Sequence, residues 1–275
     1  MVRLRLDFGY DGTGFSGWAV QPGRRTVEDE LTRALRTILR GGQPERLVTA
    51  GRTDSGVHAR GAVAHADVSS AAWLALPGRS GPPPAEAAVT RLNAVLPADI
   101  VVRRTEIAPD GFDARFSALS RRYLYRICDS PARLDPLRRF DTVSHRRLLD
   151  VTAMHAASQP LLGLHDFAAF CKPRDGATTR RTLMAFSWRR LEDDVIEGTI
   201  VADAFCHSMV RFLVGAVVAV GEGRRDVQWP SVVLASTSRD GAVRLMPALG
   251  LSLEQVQYPR SAELASRAVE ARNHR

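Results

Sequence analysis

The chain has 275 residues, with 38 basic and 30 acidic side chains and a formal charge of +8. Hydrophobic residues make up 45% and charged residues 25%, which excludes disorder, collagen and a disulfide scaffold and leaves one large globular domain or two ordinary ones. All the basic residues but Lys172 are arginines. A GC-rich genome raises arginine by itself, so the net charge is the better pointer to an anionic partner such as nucleic acid.

Leu4, Leu6 and Phe8 alternate with Arg3, Arg5 and Asp7, the period-two pattern of a half-buried strand. After a glycine-rich turn, residues 26–29 have the spacing of a capping box. Val27, Leu31, Ala34, Leu35 and Ile38 then share one helical face, and Gly41-Gly42 ends the helix. Residues 47–50 and 61–68 read as strands on either side of a loop. Residues 77–84 are a loop rich in Gly and Pro, 85–96 a helix stopped by Pro97, and 100–107 a strand. The order β-α-β-β-α-β is that of a split βαβ, ferredoxin-like unit, with a boundary at Pro109-Asp110-Gly111.

Beyond it, Tyr123, Tyr125 and Ile127 alternate with Arg122, Leu124 and Arg126. A helix over 148–158, a short element at 167–170 and strands over 182–191 and 195–202 follow. Helices over 209–220 and 229–235 and a strand over 252–257 complete what looks like a decorated copy of the first half. The expected fold class is α+β: two ferredoxin-like domains, 1–108 and 109–260, with joined antiparallel sheets, a catalytic cleft between them, and a tail over 261–275. The arginines from Arg121 to Arg147 read as a solvated face or as a phosphate-binding footprint.

The longest uncharged apolar run, 212–221, is ten residues, where a membrane span needs roughly 20. The N-terminus has no signal-peptide pattern. Cys128, Cys171 and Cys206 form no CxxC and read as free thiols of a reducing compartment. A soluble, cytoplasmic protein without membrane contact is expected.

Gly12 to Gly17 matches GxGxxG after a strand, but a dinucleotide loop needs a helix to open at its last glycine. Pro22 and Gly23 intervene, and no acidic residue ends a second strand about 20 residues on. The segment reads instead as a tight turn near a ligand, with Trp18 as core, and no nucleotide cofactor is expected. No HExxH or Cys/His cluster is present, so no metal is expected, although His58 and His65 could meet across two strands, and no GxSxG points to a serine nucleophile. What remains is Ala50-Gly51-Arg52-Thr53-Asp54-Ser55-Gly56-Val57-His58-Ala59, a glycine-rich loop between strands. It reads as an ordinary turn or as a carboxylate offered as nucleophile or base, with a cation nearby to keep it ionised.

This run resembles the signature of the tRNA pseudouridine synthase A family. The resemblance extends through YDGTGFSGW, LNAVLPADI, FDARFSALSRRYLY, HDFAAF, AFCHSMVRFLVGAV and MPALGLSL, in order along nearly the whole chain. It implies an isomerase that breaks the N-glycosidic bond of a tRNA uridine and rejoins the base through C5, with no cofactor. Asp54 matches the catalytic nucleophile, directed at the ribose carbon or at C6 of the base. Arg52 matches the arginine that assists base flipping, a step that costs a few kcal/mol. Tyr123 matches the tyrosine that stacks on the base and relays a proton from C5, Arg211 the arginine that pairs with the catalytic carboxylate, and Leu251 an apolar residue that packs the base. The resemblance also implies a homodimer and uridines of the anticodon stem-loop, around positions 38, 39 and 40. Ala19 replaces the usual glutamine after GW, Met246 stands where a small residue often precedes Pro-Ala, and the 77–84 loop is longer than usual. A non-catalytic RNA-binding pair of ferredoxin-like modules and a nicotinamide-dependent oxidoreductase are the competing readings. The first lacks an RNP pattern, and the second rests on Gly12 to Gly17 alone.

Overall fold

The computed structural model describes residues 1–40, 44–78, 81–173, 178–236, 238 and 241–273. It is a mixed α+β structure in two compact units. The first comprises Met1–Leu119 with the segment that begins at Glu254, the second Ser120–Leu253.

In the first unit, β1 (Val2–Tyr10), β2 (Val48–Thr49), β3 (His58–Val68) and β4 (Ile100–Ile107) form an antiparallel sheet in the order β4-β1-β3-β2. The alternation of β1 decides its faces. Leu4, Leu6 and Phe8 are buried opposite Ala66, Ala64 and Ala62, small residues that leave room for the larger ones. On the other face Arg3 forks onto Asp67 at 2.8 and 2.6 Å, which holds that carboxyl below its ordinary pKa. Helices α1 (Val27–Ile38), α2 (Ser70–Leu74) and α3 (Pro84–Val95) complete the N-terminal part, and α1 buries the apolar stripe that its spacing dictates.

The capping box does not form. Thr26 is extended, but its side chain accepts no capping bond; Val27 N–H and Glu28 N–H donate instead to the carbonyls of Gly17 and Trp18. The orphan donors of α1 are thus satisfied by the preceding turn. The glycine stop at 41–42 lies outside the described residues. The C-terminal segment adds α7 (Leu264–Asn273), with Leu264, Ala268 and Ala271 buried.

In the second unit, β5 (Ser120–Cys128), β7 (Gly163–Asp166), β8 (Arg180–Arg190) and β9 (Val195–Ala202) run in the order β5-β9-β8-β7, antiparallel, and β6 (Val143–Ser144) pairs parallel with β5. Helix α4 (Val151–Ser158) is capped by the Asp150 carboxylate, which accepts from Ala153 N–H at 2.9 Å. It packs on α5 (Met209–Gly221). Twelve of the thirteen residues of α5 are buried, so the apolar run is a core helix, each large aliphatic or Phe side chain contributing roughly 1.5–3 kcal/mol. Helix α6 (Trp229–Ala235) follows, and β10 (Leu251–Gln257) carries the chain out of this unit. No helix among the described residues is long and apolar enough to cross a membrane.

Two expectations need correction. Cys171 and Cys206 form a disulfide, with Cα atoms 5.9 Å apart, and only Cys128 is a free, buried thiol. The two cysteines lie 35 positions apart in sequence, but Lys172 N–H donates to His207 O at 3.0 Å and brings the two segments side by side. The arginines after Arg121 are not one solvated face either. Arg121 and Arg126 are buried, the first donating to Asp203 O at 2.6 Å and the second lying 3.4 Å from Glu197. Arg133 and Arg138 pair with Asp194 and Asp193 of the β8–β9 turn, both at 2.5 Å.

Candidate active site

Arg52 and Asp54 lie on the loop between β2 and β3 of the first unit, Arg52 exposed and Asp54 half-buried. The loop is fixed from both sides. Trp18 N–H donates to Thr53 O at 3.1 Å, and Val57 N–H to Asp54 O at 3.2 Å. Ser55 Oγ and Gly56 N–H both donate to Phe15 O, at 3.1 and 3.2 Å. Beneath it, the Tyr10 hydroxyl meets Thr53 Oγ1 at 2.8 Å, both side chains buried. Gly17 has φ +94°, and a Cβ there would stand 2.9 Å from Thr53 O, so the turn reaches the loop only through a glycine.

The GxGxxG segment is therefore a brace. Four of its N–H groups are bonded within the unit, Gly12 to His58 Nδ1, Thr13 to Asp11, Phe15 to Gly12 O and Ser16 to Arg25 O, as is that of the following Trp18, to Thr53 O. None of these five donors faces a pyrophosphate, and α1 opens only at Val27. Burial raises the Asp11 pKa, but the two hydrogen bonds from Thr13 and the nearby His58 outweigh it and hold the carboxyl below its ordinary value. Trp18 is core, 2% exposed. His58 and His65 lie on the same strand, β3, rather than across two. Their Nδ1 atoms accept from the backbone N–H of Gly12 and Ala114, each at 3.0 Å.

Tyr123, Arg211 and Leu251 belong to the second unit. Tyr123 is buried on β5 with its ring edge-on to Phe205, centroids 5.1 Å apart and planes at 89°. Arg211 occupies the first turn of α5, after Ser208 in the left-handed region at φ 62°. Its Nε donates to Met246 O at 2.7 Å, while Met246 N–H donates back to Arg211 O at 3.3 Å. The 244–250 segment can approach this closely because position 215 is glycine: a Cβ there would lie 1.8 Å from Arg244 O. Tyr125, two residues from Tyr123, donates its hydroxyl to Pro247 O at 2.8 Å. Burial pushes that hydroxyl's pKa well up, against the lowering pull of the Arg211 and Arg244 charges, so it remains a donor. Arg211 and the segment leading to Leu251 are thus brought together, and Leu251 itself is 5% exposed.

The Met246 departure is explained as well. The backbone of that residue holds Arg211, and its side chain is buried, so the position does not require a small residue. Sequence reasoning missed Tyr10, Thr53, Tyr125 and Phe205. All four stand inside quoted motifs, and Tyr125 is also one of the alternating residues of its strand.

A family model described as tRNA pseudouridine synthase matches residues 157–259. The chain is 50% identical to tRNA pseudouridine synthase A of Streptomyces griseus subsp. griseus, over all of this chain and 94% of that protein. It belongs to the tRNA pseudouridine synthase A family. Members from Frankia casuarinae and Mycobacterium leprae are 53% and 48% identical, covering 98% and 100% of this chain and 93% and 96% of theirs. Among solved structures, a chain from the crystal structure of a Cbf5-Nop10-Gar1 complex aligns with a TM-score of 0.31 and 11% identity over 78% of this chain and 54% of that one, too slight a likeness to bear on the fold.

Proposed function

We propose that the protein is an isomerase that converts uridine to pseudouridine in tRNA, acting on the anticodon stem-loop around positions 38, 39 and 40. The observation that carries the reaction is the likeness to family members along the entire chain at about half identity. Substrate and product have the same atoms, so the reaction consumes no oxidant, reductant or group donor.

In this reading Asp54 is the nucleophile, directed at the ribose carbon or at C6 of the uracil, and it is released when the base rejoins the sugar through C5. Arg52, exposed on the same loop, fills the stack vacated by the flipped base. Tyr123 stacks on the base and passes on the C5 proton, Leu251 packs against the ring, and Arg211 pairs with the carboxylate. What supports a catalytic role for the loop is the density of bonds that hold Thr53 and Asp54 in place. The enzyme works as a homodimer in the cytoplasm. The first unit is read as ferredoxin-like, since β4-β1-β3-β2 is the order of a split βαββαβ unit, and the second as a decorated copy of it.

The test is incubation with unmodified tRNA transcripts and no added cofactor, followed by mapping of pseudouridine. Product at the anticodon stem-loop is expected from the wild type, and none from Asp54→Asn with tRNA affinity kept. Failure of the wild type on every transcript would overturn the reaction, and turnover by Asp54→Asn would remove Asp54 from its role.

A further inference from the structure

We infer that Tyr10 is a positioning residue that fixes Asp54 through the hydroxyl of Thr53. The inference rests on the nucleophile role proposed above for Asp54.

Tyr10 is the last residue of β1, where the sheet ends and the brace begins. Its ring is 6% exposed, stacked on Phe8 at 6.1 Å and edge-on to Phe15 at 6.3 Å. The ring therefore has little freedom, and its hydroxyl reaches the residue immediately before Asp54, at 2.8 Å from Thr53 Oγ1. A hydroxyl buried this deeply costs free energy unless it is bonded, and the bonded pair returns little net stability. A phenylalanine facing a valine would fill the same space without that cost. The pair thus makes poor sense as a device for stability and good sense as a device for geometry.

The surrounding bonds say what geometry is fixed. Trp18 N–H on Thr53 O, and Ser55 Oγ and Gly56 N–H on Phe15 O, tie the loop on either side of Asp54 to the 15–18 segment, and Val57 N–H on Asp54 O closes the turn. None of these four bonds engages the Thr53 side chain. The Tyr10–Thr53 bond ties that side chain to the end of β1, so the residue before Asp54 is restrained from a second element as well. The Asp54 carboxylate then starts from one direction, and a displacement of about 1 Å in a reacting group costs on the order of 100-fold in rate.

The double variant Tyr10→Phe/Thr53→Val separates geometry from stability, because it removes both hydroxyls of the bond together. Its melting temperature is expected to stay near the wild-type value, and its KM for tRNA within about twofold. The single-turnover rate of pseudouridine formation is expected to fall about 10- to 100-fold. Thr53→Ser, which keeps the hydroxyl, recovers most of the rate that Thr53→Val loses. If the double variant does not fold, Tyr10→Phe alone decides by the same split between rate and KM. A folded double or single variant that turns over at the wild-type rate would overturn the inference, as would Thr53→Ser and Thr53→Val being equally slow. Asp54→Asn, run alongside, keeps the two readings apart. Activity there removes the nucleophile role, whereas an inactive Asp54→Asn beside a fully active double variant removes the role of Tyr10 alone.

Discussion

Asp54 is held by hydrogen bonds from a turn some 40 residues earlier in the chain, whereas Arg211 is held by the packing of the helix that carries it. On the Asp54 loop nearly every restraint is a polar bond to backbone or hydroxyl, each with a small net effect on stability and a strict demand on direction. On α5 the restraint is burial, which is large in energy and weak in direction, and a guanidinium bond to Met246 O helps to aim the side chain. The contrast predicts that damage near Asp54 shows first in rate, and damage near Arg211 first in stability.

Gly215→Ala gives the largest effect. Its Cβ would meet Arg244 O at 1.8 Å, inside a helix with no room to shift, at a cost of about 3 kcal/mol or more in urea unfolding. A variant as stable as the wild type would break the packing half of the comparison. Gly17→Ala comes next. It must hold a side chain at φ +94° and crowd Thr53 O, which costs about 2 kcal/mol and displaces the loop. Turnover is expected to fall further than stability accounts for, and unchanged turnover would show that the turn is no brace.

The smallest effect asks whether the polar restraints of the first unit extend past the loop. Burial holds the His65 pKa below its ordinary value, so protonation opposes folding. Its contribution is complete above about pH 6.5 and is lost as the pH falls through the lower folded value. The wild-type melting temperature is therefore expected to drop more between about pH 7.5 and about 5.5 than that of His65→Gln. Asp67, held low by its bond to Arg3, adds a loss only below about pH 4. Equal slopes for the two proteins would confine the sensitive restraints to the loop.

Elements whose own periodicity meets a core were legible in the sequence. The strands over 100–107 and 195–202 and the helix over 229–235 have the expected bounds, and α5 runs one residue longer. Features decided by a distant partner were not. The cap of α1 is made by carbonyls of another turn, and β6 has two residues and exists only because β5 lies beside it. The disulfide depends on a backbone bond between two loops, and the burial of Arg121 and Arg126 on acceptors at 203 and 197. The Asp54 loop was legible only as a motif, since its local sequence is that of a plain turn. Tyr10 and Thr53 escaped notice because their pairing spans 43 residues.

The return of the chain to its first unit has a consequence for biosynthesis. Leu119 N–H donates to Gln257 O at 2.8 Å, the Tyr258 hydroxyl to Ala114 O at 2.7 Å, and Arg272 pairs with Asp113 at 2.8 Å. The first unit made is thus the last one finished. At roughly 10 residues per second, a ribosome needs on the order of ten seconds to travel from the end of its first piece to the strand that completes it. Meanwhile the second unit, encoded as one uninterrupted stretch, is free to fold first. The loop bearing Asp54 is among the earliest parts synthesised, and the unit that houses it waits longest to close.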